Sequence, residues 1–154
     1  MDPLIKSVYG NKVRVRVSGL CWEGSRLLMV NHRGITQGDF WAPPGGGLEF
    51  GESTAQCLKK EFLQETGLNI ITGQFRFACE FIQKPLHAIE LFFEVSVVGG
   101  VLQKGEDPEL AIIEAVQFMT PDNIAKIPAS YLHGIFRLIP TPGDIKTLTG
   151  FFTV

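Results

Sequence analysis

Between Lys12 and Gly19 apolar and basic residues alternate strictly, as Val13-Arg14-Val15-Arg16-Val17. A period of two predicts a strand with one face buried and one face polar, and places the arginines together on the polar face. Glu23-Gly24-Ser25 reads as a turn. Arg26 to Asn31, built around the continuous run Leu27-Leu28-Met29-Val30, reads as a second strand buried on both faces, which completes a hairpin. His32 to Gly38 has the polar, glycine-containing character of a loop, and Asp39 to Ala42 that of a short extended piece. Pro43-Pro44 and Gly45-Gly46-Gly47 halt it, because proline stiffens the chain and glycine admits unusual backbone angles, so a shaped loop is expected there.

The pattern then changes to a helical one. Ser53 supplies an N-cap, good helix formers follow, and Gly67 stands where a helix stops, which predicts a helix over Ser53 to Thr66. Leu68 to Ile82 and His87 to Gln103 are rich in β-branched and aromatic residues and predict antiparallel strands broken at Lys84-Pro85. Ile112 to Met119 adds a strand, and Pro121 to Ile124 and Ser130 to Leu138 read as short helices, the first opened by Thr120-Pro121. After Pro140 the pattern is ambiguous; the apolar tail Leu148 to Val154 completes the core, pairs with a partner subunit or frays. With no repeat, low-complexity tract or long linker, residues 1–154 form one domain of α/β or α+β class, a mixed sheet with a central and a C-terminal helix packed on it.

Composition narrows the chemistry. Of 154 residues, 45% are hydrophobic, as in a globular domain with one core, and the net charge is −2. That balance leaves no sequence-wide basic field to hold a nucleic-acid polymer, whereas a small anionic ligand needs only local positive groups. The 3 cysteines, Cys21, Cys57 and Cys79, are odd in number and far apart, unlike a disulfide framework or a zinc site, and read as buried thiols. Met1-Asp2-Pro3 opens without a basic-then-apolar leader, and charge or glycine interrupts every apolar run before it reaches membrane-spanning length. The expectation is a cytosolic, reducing location with no membrane partner.

On the expected helix, Glu61 and Glu65 lie roughly 40° apart, with Gln64 just outside the pair. Two carboxylates so placed repel one another unless solvent screens them or a cation lies between them. Solvated surface charge is the ordinary reading of such a pair. Here it follows a glycine-rich loop and an acidic Glu52, and oxygen ligands of this kind suit Mg²⁺.

The same segment resembles the Nudix family. Its box, G-x5-E-x7-R-E-U-x-E-E-x-G-U with U apolar, is similar to Gly46, Glu52, Lys60, Glu61, Phe62, Gln64, Glu65, Gly67 and Leu68 in register. Lys60 stands where the family has Arg, Gln64 where it has the first Glu of a pair, and Phe62 is an aromatic form of the apolar position. Trp41 to Glu49 also looks like the family's Pro-Gly-Gly-Gly approach. The resemblance implies an α/β/α sandwich and divalent-cation-dependent hydrolysis, with Mg²⁺ or Mn²⁺, of the pyrophosphate linkage in a nucleoside di- or triphosphate derivative. It implies Glu61 and Glu65 as metal ligands, Glu61 also assisting the attacking water, and the Gly46 carbonyl completing the metal shell. It further implies Glu52 paired with Lys60, the lysine orienting the catalytic carboxylate in place of Arg, and Glu109 of Gly105 to Glu109 as an additional acidic ligand. Lysine keeps the charge but loses the planar fork, and Gln64 can still offer an amide oxygen while removing one negative charge, so a thinned metal site is expected. The alternative is a weak or inactive module that binds an ADP-ribose-like nucleotide.

For the substrate, Arg14, Arg16 and Arg33 are candidate phosphate binders, and Phe40 or Trp41 candidates to stack on a base. His32, His87 and His133 lack the spacing of a zinc site or a triad and are expected in surface or structural roles. No G-x-S-x-G is present, and no Gly-Lys-Ser/Thr follows the glycines as in a P-loop. Monomer and homodimer both suit the sequence.

Overall fold

The computed structural model describes residues 3–33, 38–105 and 112–154. An amphipathic alternation has its effect through pairing, and the pairing here is one mixed sheet of eight strands. Strands β1 (Lys12–Glu23) and β2 (Arg26–Arg33) form the expected hairpin, in register at Trp22–Leu27 and Glu23–Arg26. Toward the other end of β1 two short strands take up the pairing instead: β3 (Trp41–Ala42) on β2 and β4 (Gly45–Gly47) on β1. β5 (Leu68–Gln83) and β6 (Leu86–Gly100) form a long antiparallel hairpin, and β6 runs parallel to β1 from Lys12–Leu86 to Cys21–Val95. β7 (Ile112–Met119) pairs with β2, and β8 (Gly150–Thr153) lies parallel to β5, so the ambiguous tail completes the sheet edge.

Helix α2 (Thr54–Thr66) covers one face. Ser53 and Gln56 form a reciprocal capping box at its start, and Gly67 ends it in the left-handed conformation, φ 75°. Its apolar side, Cys57, Leu58 and Phe62, packs on Val17, Cys21, Leu28 and Val95. The opposite core contains Leu20, Met29, Phe77, Phe92, Ile135 and Ile145, so adjacent residues of β1 and β2 feed different cores, as expected of a strand buried on both faces. Short helical pieces close that second core: α3 (Pro121–Ala125) and 3₁₀ turns at Ala129–Tyr131, Gly134–Arg137 and Pro142–Thr147. The architecture is a sandwich of the α/β/α kind.

Three local expectations are corrected, and one element is added. The single helix expected over Ser130 to Leu138 is two 3₁₀ turns, because Leu132 and His133 adopt extended backbone angles and the His133 ring accepts the Ile135 N–H. His32 and Arg33 belong to β2 rather than a loop, held by Ile113 and Ile112 across the ladder. A helix not anticipated from the pattern, α1 (Pro3–Tyr9), precedes β1. Finally, burial on the first half of β1 is inverted: Val13 and Val15 are 59% and 37% exposed, whereas Arg14 and Arg16 are half-buried. On the valine face the α2 core begins only at Val17, and the arginine face lines a cavity instead. Among the described residues, no helix is long and apolar enough to cross a membrane.

Phe62 is fully buried at the centre of the α2 core. Phe62→Ala is expected to lower stability by about 3–5 kcal/mol, measured by urea denaturation, with an unchanged dependence on denaturant.

Candidate active site

Two carboxylates on successive turns of α2 are buried rather than solvated: Glu61 is 6% exposed and Glu65 1%. Glu65 Oε1 accepts the Gly45 N–H at 3.1 Å, and its Oε2 lies 3.1 Å from His32 Nε2. Helix, glycine loop and β2 thus meet on one side chain. Glu61 lies directly against Gly46, where a methyl group built on the backbone would fall 2.3 Å from the Glu61 carboxyl carbon. Only glycine leaves room for that close approach, which accounts physically for a residue without a side chain at this point.

At the mouth of the helix, Lys60 Nζ donates to Glu52 Oε2 at 2.7 Å and lies 4.0 Å from Glu61 Oε1. The hydrogen bond from Lys60 holds the Glu52 carboxyl below its ordinary value. Burial pulls the Lys60 ammonium down, but Glu52 and then Glu49 and Glu61 outweigh it, so the group is raised and stays charged. The pair expected from the sequence is therefore formed, with Lys60 as a point charge rather than a fork.

Glu61 and Gly46 line a cavity of about 410 Å³, within the range that holds a small ligand. Tyr9, Phe40, Phe81 and Leu132 supply apolar wall. A second polar cluster also lines it. Glu90, 8% exposed on β6, accepts from Ser18 Oγ at 2.6 Å, meets His133 Nε2 at 2.5 Å, and lies 3.7 Å from Arg16 Nε. Burial pushes the Glu90 carboxyl up, but His133, Arg16 and Ser18 outweigh it and hold it at about 2.

The remaining sequence candidates divide. Arg14 lines the cavity with its guanidinium 3.7 Å from the centre of the Tyr9 ring, a cation–π contact. Arg16 lines it beside Glu90. Arg33 is exposed, 3.9 Å from Asp39 and 3.6 Å from Glu114, and is not among the lining residues. Trp41 packs against the core beneath β3, while its neighbour Phe40 reaches the cavity. Gln64 is exposed on α2, and Glu109 lies outside the described residues. His32 and His133, expected in surface or structural roles, are instead buried and engaged with Glu65 and Glu90. The three thiols are buried and free; burial first, then neighbouring carboxylates, pushes Cys57 and Cys79 up to about 12.

An all-oxygen set of Glu61, Glu65 and the Gly46 carbonyl is chemically suited to a hard divalent cation, which binds through one or two carboxylates and completes its shell with water and substrate phosphate. Among the described residues no group of three or more His, Cys, Asp or Glu is arranged to hold a metal.

A family model described as the NUDIX domain matches residues 11–137. The chain belongs to the Nudix family. It is similar to an RNA pyrophosphohydrolase of Bartonella clarridgeiae, 32% identical over 84 residues, covering 54% of this chain and 44% of that protein. It is also similar to an ADP-ribose pyrophosphatase of Methanocaldococcus jannaschii, 25% identical over 115 residues, covering 73% and 65%. The chain thus spans less than two thirds of the length of either relative. Among solved structures, a NUDIX hydrolase from Nitrosomonas europaea superposes with TM-score 0.65 and 22% identity, covering 74% of this chain and 76% of that one. The MutT NUDIX hydrolase of Burkholderia pseudomallei does so with TM-score 0.68 and 17% identity over 90% and 99%. These structures share its fold. Nudix hydrolases generally use divalent cations.

His32, Ser18, Glu90 and His133 were not singled out as site residues from the sequence. Glu90 alone carried a local signal, a single charge inside the apolar run Ala88-Ile89-Glu90-Leu91-Phe92. The other three acquire their partners only through the tertiary fold: Ser18 across the β1–β6 pairing, His32 from α2, and His133 by the placement of the 3₁₀ segment after α3.

Because the folded Glu90 value, about 2, lies below the ordinary 4.5, its contribution to stability is complete above 4.5 and lost as pH falls toward 2. Denaturation titrations across that window are expected to show a steeper loss for the native chain than for Glu90→Gln, which lacks the titrating group.

Proposed function

We propose that this chain is a Mg²⁺- or Mn²⁺-dependent pyrophosphohydrolase acting on a nucleoside di- or triphosphate derivative. The observation that carries this reading is the burial of Glu61 and Glu65 together at Gly45 and Gly46, where Glu61 and Gly46 open onto a nucleotide-sized cavity. Glu61, Glu65 and the Gly46 carbonyl would hold the cation. When bound, it neutralises phosphate charge and lowers the pKa of a coordinated water. Glu61 accepts a proton from the attacking water as a new P–O bond forms and the bridging P–O bond breaks, leaving two phosphate-bearing products. Lys60, fixed by Glu52, orients Glu61, and His32 with the Gly45 N–H orients Glu65. Arg14 offers positive charge to phosphate, and Phe40 an aromatic wall to a base. Mostly apolar walls limit the water that reaches the phosphorus.

The name of one relative, an ADP-ribose pyrophosphatase, supports a nucleoside-diphosphate substrate class, and that of the other, an RNA pyrophosphohydrolase, supports cleavage of a pyrophosphate linkage. Three free thiols support a reducing, cytoplasmic location, and the net charge of −2 supports a small-molecule partner over a polymer, for a monomer or a homodimer.

A second reading, nucleotide binding without efficient turnover, is favoured by one observation: Lys60 reaches Glu61 only at 4.0 Å while committed to Glu52 at 2.7 Å. A nucleotide panel with Mg²⁺ and Mn²⁺ separates the two. Turnover of at least one nucleoside diphosphate derivative, reduced by about 100-fold or more in Glu65→Gln, is the expected result; binding without product selects the second reading. Lys60→Arg, restoring a planar fork beside Glu61, is expected to raise kcat several-fold with little change in nucleotide affinity, read by steady-state kinetics and calorimetry.

A further inference from the structure

The mechanism makes no use of Glu90, yet Glu90 is a buried carboxylate facing the same cavity. A buried ionic cluster is weak support for stability, since apolar residues of similar volume often serve as well or better. Its geometry, however, suits a ligand. A carboxylate has about four lone-pair positions, and among the described residues the hydrogen bonds to Glu90 are one at Oε2 from Ser18 and one at Oε1 from His133. The His133 ring is itself fixed, because Nδ1 accepts the Ile135 N–H and leaves Nε2–H to donate to Glu90. Glu90 is thus a rigid, charged acceptor with capacity left over, at a wall of a cavity that Phe40, Phe81 and Leu132 also line.

Position decides what it can accept. β4, β1 and β6 are successive strands, with Gly46 opposite Val17 and Glu90 opposite Arg16, so the Glu90 backbone lies roughly 10 Å from the Gly46 loop at about 4.8 Å per strand. Phosphate belongs at the Gly46 end with the cation and is repelled by a second fixed carboxylate. What reaches Glu90 is therefore a neutral donor further along the ligand.

We infer that Glu90 is a specificity-determining residue that accepts a hydrogen bond from an N–H or O–H on the nucleoside portion of the substrate, either an exocyclic amino group or a sugar hydroxyl. This deepens, and rests on, the nucleotide-hydrolase reading. Arg16, Ser18 and His133 hold the acceptor in place, and a nucleoside lacking the donor leaves a desolvated carboxylate partly unsatisfied, which is costly.

The test uses binding of product-like nucleoside monophosphates with Mg²⁺, so no turnover is needed. Calorimetry compares pairs differing in one donor: CMP with pyrimidin-2-one riboside monophosphate, GMP with IMP, AMP with purine riboside monophosphate, and each ribonucleotide with its 2′-deoxy form. The amino pairs and the deoxy pairs distinguish the two donor sources. In the native chain the donor-bearing member of at least one pair is expected to bind about tenfold tighter or more, and that ratio to fall toward unity in Glu90→Gln while the other ratios stay put. If Glu90→Gln does not fold by circular dichroism, Glu90→Asp, which keeps the charge but retracts it, is expected to shrink the same ratio. Binding without discrimination in any pair overturns the inference alone, as does a variant that weakens all ligands equally, the signature of a structural role. Failure of every monophosphate to bind overturns the nucleotide reading itself.

Discussion

Glu65 is the point where the fold and the candidate chemistry depend on one another. Its carboxylate is almost completely removed from solvent and meets the Gly45 N–H and the His32 ring, so one side chain joins α2, the glycine loop and β2. A buried charge is tolerable only with such compensation, and breaking one partner of a buried pair typically costs about 3–5 kcal/mol. The positions of loop and helix are accordingly coupled: a loop displaced from β1 removes the Gly45 donor, and a helix displaced from the sheet removes the acceptor. Phe62 on the same helix and the β4 pairing with Arg16 to Ser18 fix the two bodies that Glu65 connects.

The entry of these carboxylates into the cavity follows from how the sheet is laid out. β1 and β2 pair at their turn, and farther along, the short strands β3 and β4 take their places between them. Three consecutive glycines form β4, and the absence of a side chain at Gly46 lets Glu61 lie against the backbone. A helix packed on one face of the sheet thereby presents an acidic group to a cavity that also borders Arg16 and Glu90 of β1 and β6. The cavity has carboxylate at two places and arginine along β1 between them, a charge distribution that on the proposed function would orient an extended anionic ligand as well as hold it.

What could be read in the sequence was what is local. The capping box, the left-handed Gly67 and the apolar spacing of α2 are decided within a few residues, and the helix begins and ends as its sequence predicts. Leu27 to Val30 likewise read correctly as doubly buried, because both faces of an interior strand need apolar residues. The alternation in β1 gave the right element but the wrong faces: which face of Val13 to Arg16 is covered depends on where α2 and the cavity fall, and neither is written in that segment. The same holds for His32, which meets Glu65 across 33 positions, and for His133, which meets Glu90 across 43. A histidine's partner here is a property of how helix, sheet and 3₁₀ turns pack together, and that packing is non-local.

The two departures at Lys60 and Gln64 have different weight once placed in the structure. Gln64 projects from the exposed side of α2, so the charge it lacks is one that water would have screened strongly. Lys60 stands within 4.0 Å of a buried carboxylate and is itself only partly exposed, so its geometry acts where the dielectric is low. On the proposed function the attraction for a cation rests on Glu61 and Glu65, whose mutual repulsion on adjacent turns is relieved most directly by a cation shared between them. On that proposal the lysine, placed within 4.0 Å of Glu61 to orient it, weighs more on the chemistry than the missing glutamate.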